Sequence, residues 1–136
     1  MEFYDGYFAR GKVFFYLDSG LYFMGMRQER LADEVRDLLA NLFLGDQIQD
    51  PRLQGITITF VKVSADLQSA KVYFRVFEEN AEQSVLEGFA HCKGFIRSYL
   101  AGKLTLRRVP DLKFFYDESI EKGARIEEVL RNLKES

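Results

Sequence analysis

Across residues 27–44 the apolar positions Leu31, Val35, Leu38, Leu39 and Leu42 recur at helical spacing, with Glu29, Asp33, Arg36 and Asp37 opposite them. That pattern predicts an amphipathic helix with one buried stripe. The helix stops near Gly45, and Asp50-Pro51-Arg52-Leu53 follows as a turn. Proline fixes its own φ and pushes the preceding residue out of helical space. Residues 56–64, ITITFVKVS, are rich in β-branched side chains and predict a strand with Ile56, Ile58 and Phe60 facing inward. Val61 and Val63 continue on the other parity, so a bulge is expected near Phe60. After a turn at residues 66–69, Ala70, Val72, Phe74 and Val76 alternate with Lys71, Tyr73, Arg75 and Phe77. This predicts a second strand with a cationic, aromatic outer face.

Residues 82–90 read as a helix with Val85, Leu86 and Phe89 on one side. Gly94 interrupts it, and Phe95, Ile96, Tyr99, Leu100 and Leu104 resume the pattern. Residues 112–116 form a short strand entered through Pro110, and Asp117 can cap a last helix whose stripe is Ile126, Val129, Leu130 and Leu133. The order is helix, strand, strand, broken helix, strand, helix. It predicts a two-layer α+β domain with helices on one face of a small sheet.

Residues 1–23 differ. They hold nine of the chain's aromatics, interrupted by Gly6, Gly11 and Gly20, and show no sustained period. Glu2 and Asp5 stand where a secretory signal needs positive charge. Two readings stay open: translation starting at Met24 or Met26, or an accessory strand or hairpin whose aromatics cover a sheet face. The expected division is therefore an aromatic extension, 1–23, and a functional domain, 24–136.

Composition narrows the function. The chain has 136 residues, 47% hydrophobic and 29% charged, which suits one globular domain and argues against disorder. One cysteine excludes an internal disulfide, and with one histidine it excludes Cys/His zinc patterns, so no metal or cofactor is expected. Sparse cysteine fits a reducing cytoplasm, and no apolar run approaches the ~18 residues of a membrane span. A net charge of −2 excludes indiscriminate coating of nucleic acid, so any such contact must come from asymmetry.

Asymmetry is present. From Lys93 to Lys113 lie Lys93, Arg97, Lys103, Arg107, Arg108 and Lys113 against the single acid Asp111. Shortly before come Glu78, Glu79, Glu82 and Glu87 with no base between them. The basic window is either a surface for a polyanion or a charged face paired to those acids. Arg27 and Arg30 also sit in the first turn of the first helix, where the macrodipole disfavours cations by ~0.3–1 kcal/mol. Either they have a use beyond stability, or Glu29, Asp33 and Glu34 pair with them.

Catalytic chemistry finds no footing. His91 and Cys92 are neighbours, but adjacent side chains on a helix diverge by ~100°, and no third group orients a base. Cys92 reads as packing at the helix break. Gly102-Lys103-Leu104-Thr105 lacks the hydroxyl residue that a phosphate loop places after its lysine.

Six motifs in fixed order resemble the ribosome-binding factor A family of bacterial small-subunit maturation factors. They are Arg27-Gln28-Glu29-Arg30, Asp50-Pro51-Arg52-Leu53, Val63-Ser64-Ala65-Asp66-Leu67, Ala70-Lys71-Val72-Tyr73, Gly94-Phe95-Ile96-Arg97 and Leu106-Arg107-Arg108-Val109-Pro110-Asp111-Leu112-Lys113-Phe114, the last followed by Asp117. The resemblance covers residues 24–133. It implies a type II KH-like fold whose GxxG loop is replaced by a helix–kink–helix, here Cys92, Lys93 and Gly94. The family kink has the form Ala-x-Gly, and cysteine replaces the alanine. The resemblance further implies a cytoplasmic, monomeric, non-catalytic factor that binds the free small ribosomal subunit and its rRNA and assists late maturation and rRNA processing. Its rRNA-binding set is expected to be Arg30, Lys93, Arg97, Lys103, Arg107 and Arg108. The competing reading is a protein-interaction or dimerisation module that uses the Tyr73/Phe77 face and has no RNA role.

Overall fold

The computed structural model describes residues 6–9, 12–17, 20–45, 47–78 and 81–135, with side chains from residue 24 to residue 134. Three strands open it, β1 (Gly6–Ala9), β2 (Lys12–Leu17) and β3 (Gly20–Gly25), in an antiparallel sheet of order β1-β2-β3. β3 runs past residue 23 into the first helix, and its Met24 is buried in the main core. The aromatic side chains of residues 1–23, and what they cover, lie outside the described residues.

The main body follows the predicted order. Helix α1 (Met26–Leu44) buries Leu31, Ala32, Val35, Leu39 and Leu42, the stripe read from the sequence with Ala32 added. Strands β4 (Ile56–Val63), β5 (Ser69–Val76) and β6 (Asp111–Tyr116) form a mixed sheet of order β4-β5-β6. β4 runs antiparallel to β5, and β6 parallel to it. A parallel neighbour requires a crossover. Here α2 (Glu82–His91) and α3 (Lys93–Ala101) supply it, packed with α1 on one face of the sheet. This is the KH-like order of the resemblance, with no GxxG loop between the central helices.

The core is aromatic at its centre. Phe89 of α2 stacks on Phe114 of β6 at 3.8 Å and meets Phe74 of β5 edge-on at 5.2 Å. A bulge does occur, at Thr59, between the pairs Ile58↔Phe74 and Phe60↔Tyr73. It corrects the inward phase. Phe60 turns with Tyr73 to the face away from the helices, and Val61 and Val63 take over the core side opposite Val72 and Ala70. Thr59 uses the extra position to donate its hydroxyl to Asp117 at 2.6 Å.

Asp117 in turn accepts from the backbone N–H of Ser119 at 2.9 Å and starts the last helix, α4 (Ser119–Glu135), as a cap should. Arg75 fastens the first turn of α4 by two bonds to Glu121, at 2.9 and 2.7 Å, and a third to the Asp117 carbonyl at 2.6 Å. Beyond that turn the helix leaves the body. Its stripe, Ile126, Val129, Leu130 and Leu133, stands 56–67% exposed.

Candidate nucleic-acid interface

The break between α2 and α3 falls at Cys92, and Lys93 and Gly94 are the first two residues of α3. A side chain at Gly94 would meet nothing within 4 Å, so no close approach there requires glycine. Asp50 caps the short 3-10 turn Pro51–Leu53 and accepts three bonds from Arg52, one from its backbone and two from its guanidinium. Those bonds hold the Asp50 carboxyl down at about 2. The turn presses Leu53 and Arg52 so closely on α2 that a Cβ at Gly88 would lie 3.0 Å from Leu53. At the break the Cys92 thiol points at the Asp50 carboxylate, Sγ to Oδ2 3.9 Å. Burial, and then the charge of Asp50, push that thiol up, away from a nucleophilic thiolate.

Helix α3 presents its charges outward. Ile96 and Leu100 are buried against the sheet, while Lys93 and Arg97, one turn apart, are exposed. Both line a shallow depression between α3 and the Val109–Pro110 segment. The segment from Gly102 to Pro110 then alternates. Leu104, Val109 and Pro110 are buried and Leu106 is partly so, while Lys103, Thr105, Arg107 and Arg108 are exposed. Apolar pegs thus fix the backbone that carries the arginines. A further tie comes from α1: Glu34 accepts from the Thr105 backbone N–H at 2.9 Å and from its hydroxyl at 3.2 Å. Arg30 lies one helical turn before Glu34 and therefore shares its face of α1. Five of the six predicted residues, Lys93, Arg97, Lys103, Arg107 and Arg108, belong to α3 and the segment that leaves it, and Arg30 stands on the helix tied to that segment.

Their charges are largely uncommitted. Lys93 reaches Asp111 at 4.0 Å, and Lys103 lies 5.2 Å from the centre of the Tyr99 ring. Among the described residues Arg30, Arg97, Arg107 and Arg108 have no ion-pair partner. Asp33, one of the acids expected to neutralise Arg30, pairs with Arg36 instead. Glu78 and Glu82 line a depression at the opposite end of the sheet with Arg75, Tyr116 and Glu121, and Glu79 lies outside the described residues. The outer sheet face is not an open stacking platform. Tyr73 is only 6% exposed, flanked by Phe60 at 6.2 Å and Phe115 at 5.7 Å, although Phe77, just past β5, is exposed.

The Glu34–Thr105 tie and the Asp50–Arg52–Cys92 clamp went unseen in the sequence. Asp50 was visible as part of a turn; nothing local marks Glu34, whose partner lies 71 residues away.

Known proteins share both sequence and fold. A family model described as ribosome-binding factor A matches residues 27–130. The ribosome-binding factor A of Desulfatibacillum aliphaticivorans is 45% identical over 108 residues, 79% of this chain and 87% of that protein. The crystal structure of ribosome-binding factor A from Thermus thermophilus is similar with a TM-score of 0.59 at 27% identity, covering 65% of this chain and 93% of that one. A homology model of the Thermus thermophilus factor, fitted into a cryo-EM map of a 30S complex, shares the fold with a TM-score of 0.50 at 24% identity, covering 68% and 92%. With its central helices broken at Cys92 and most of that match spanning the body that carries the basic surface, this chain belongs to the ribosome-binding factor A family.

Proposed function

We propose that this chain binds the free small ribosomal subunit, contacts its rRNA through Arg30, Lys93, Arg97, Lys103, Arg107 and Arg108, and assists late maturation and rRNA processing in the cytoplasm. The observation that carries the reading is the placement of five of these exposed cations on one helix and the pegged segment that follows it, at the end of the sheet away from Glu78 and Glu82. Arginine on a fixed backbone offers planar, bidentate contacts to phosphate with little ordering left to do on binding. Membership of a family named for ribosome binding supports the choice of partner.

The mode of action is binding without catalysis. The Cys92 thiol faces Asp50, and burial pushes it up. The factor would bias the rRNA by its differential affinity for the immature and mature conformations, which is the limit of what a binding protein can shift.

Co-sedimentation of the full chain with purified small subunits and with intact ribosomes, at low and moderate salt, tests this. Salt-sensitive binding to small subunits and weak binding to intact ribosomes is the expected result. Failure to bind small subunits at low salt would refute it.

A further inference from the structure

The register of the main sheet sets three lysines side by side. Lys62 of β4 pairs with Lys71 of β5, and Lys71 pairs with Lys113 of β6. All three point to the face away from the helices, since the core side is taken by Val61, Val72, Leu112 and Phe114 on the alternate positions. Like charges directly opposed across strands destabilise a sheet. Burial, and then the charge of Lys71, push the ammonium of Lys62 down from its ordinary value. Lysine on an edge strand is an ordinary guard against edge-to-edge pairing, which accounts for Lys62 and Lys113. It does not account for Lys71, which sits on the central strand.

The place of the row is informative. Lys71 and Lys113 are exposed, and the Lys71 ammonium lies 5.8 Å from the centre of the Phe115 ring. Asp111, two residues before Lys113 on the same strand, meets Lys93 of α3 at 4.0 Å. Arg107 and Arg108 precede β6 by only a few residues. The lysine row therefore begins where the α3 surface ends, around the β6 edge.

We propose that Lys71 and Lys113 carry the anion-binding surface around the edge of β6 onto the outer face of the sheet, where they grip a phosphodiester backbone. The proposal rests on the RNA-binding reading above and extends it from one face of the domain to two. A strand held this way passes over β6 and is contacted from both sides. Repulsion within the row, a cost to the free protein, is relieved when phosphates are bound.

The test compares the full chain with two double variants, Lys71→Gln/Lys113→Gln and Arg107→Gln/Arg108→Gln. For each, affinity for purified small subunits is measured across a salt series, and stability by urea unfolding. The lysine pair is expected to make log affinity less steep in log salt by roughly 1.5, two phosphate contacts' worth, with a urea midpoint unchanged or raised. A wild-type salt slope overturns the proposal. So does a lowered urea midpoint, which would make the row structural. If the arginine pair alone reduces the slope, the lysine row falls and the RNA-binding reading stands; if neither does, both fall.

Discussion

Helices α3 and α4 carry apolar stripes of similar strength in the sequence, and the fold treats them in opposite ways. α3 buries Ile96 and Leu100, 1% and 0% exposed, under a helix–sheet core that also holds its neighbour α2 by Phe89. α4 leaves Ile126, Val129, Leu130 and Leu133 more than half open and is fastened at its first turn, by the Asp117 cap and the Arg75–Glu121 pair. An amphipathic period reports that a helix has a face to bury. It does not say that its own chain supplies the partner. The basic residues of α3 therefore sit on the well-packed part of the molecule, where little ordering would be left to do on binding.

That contrast can be broken by mutation. The largest effect is expected from Leu100→Ala, which empties a fully buried site and should cost about 2–5 kcal/mol. The matched Leu130→Ala, on the open stripe of α4, should stay within about 0.5 kcal/mol. Urea unfolding of both variants decides it, and similar losses would mean that α4 packs on the body. Glycines give a smaller and sign-reversed comparison. Gly88→Ala drives a methyl against Leu53 and should destabilise by about 1–3 kcal/mol. Gly123→Ala in α4 meets nothing within 4 Å and should stabilise by about 0.5–1 kcal/mol through lost freedom of the unfolded chain.

The smallest effect concerns the attachment of α4. Hydrogen bonds from Arg75 hold the Glu121 carboxyl at about 2, below its ordinary 4.5. A depressed carboxylate stabilises the fold fully above its unfolded value, and the contribution fades as pH falls from 4.5 towards 2. Titrating Glu121 by NMR should therefore give a midpoint near 2, moving back towards 4.5 in Arg75→Ala. An unchanged midpoint in the variant would show that the pair does not anchor the helix.

Local pattern carried the elements and their order, because burial against a sheet imposes its period on each segment separately. The strand read at residues 56–64 is β4, and the helix read at residues 27–44 is α1 within a residue. Features set by distant partners were not legible. The parity change at Val61 predicts the bulge near Phe60, and it falls next door at Thr59, but nothing local marks the bond from its hydroxyl to Asp117, 58 residues on. The break expected around Cys92, Lys93 and Gly94 falls at Cys92, but no local pattern marks Asp50 and the turn that packs on α2 beside it. For the interface, the charge run was readable, whereas the pegging of its backbone by Leu104, Val109 and Glu34 was not.

The most direct test of the account is the salt dependence of small-subunit affinity for the full chain and for Arg107→Gln/Arg108→Gln, measured side by side. Two phosphate contacts removed should lower the slope of log affinity against log salt by about 1.4–1.8 and weaken binding most at low salt. Equal slopes and equal affinities would contradict the assignment of the pegged arginine segment as the rRNA surface.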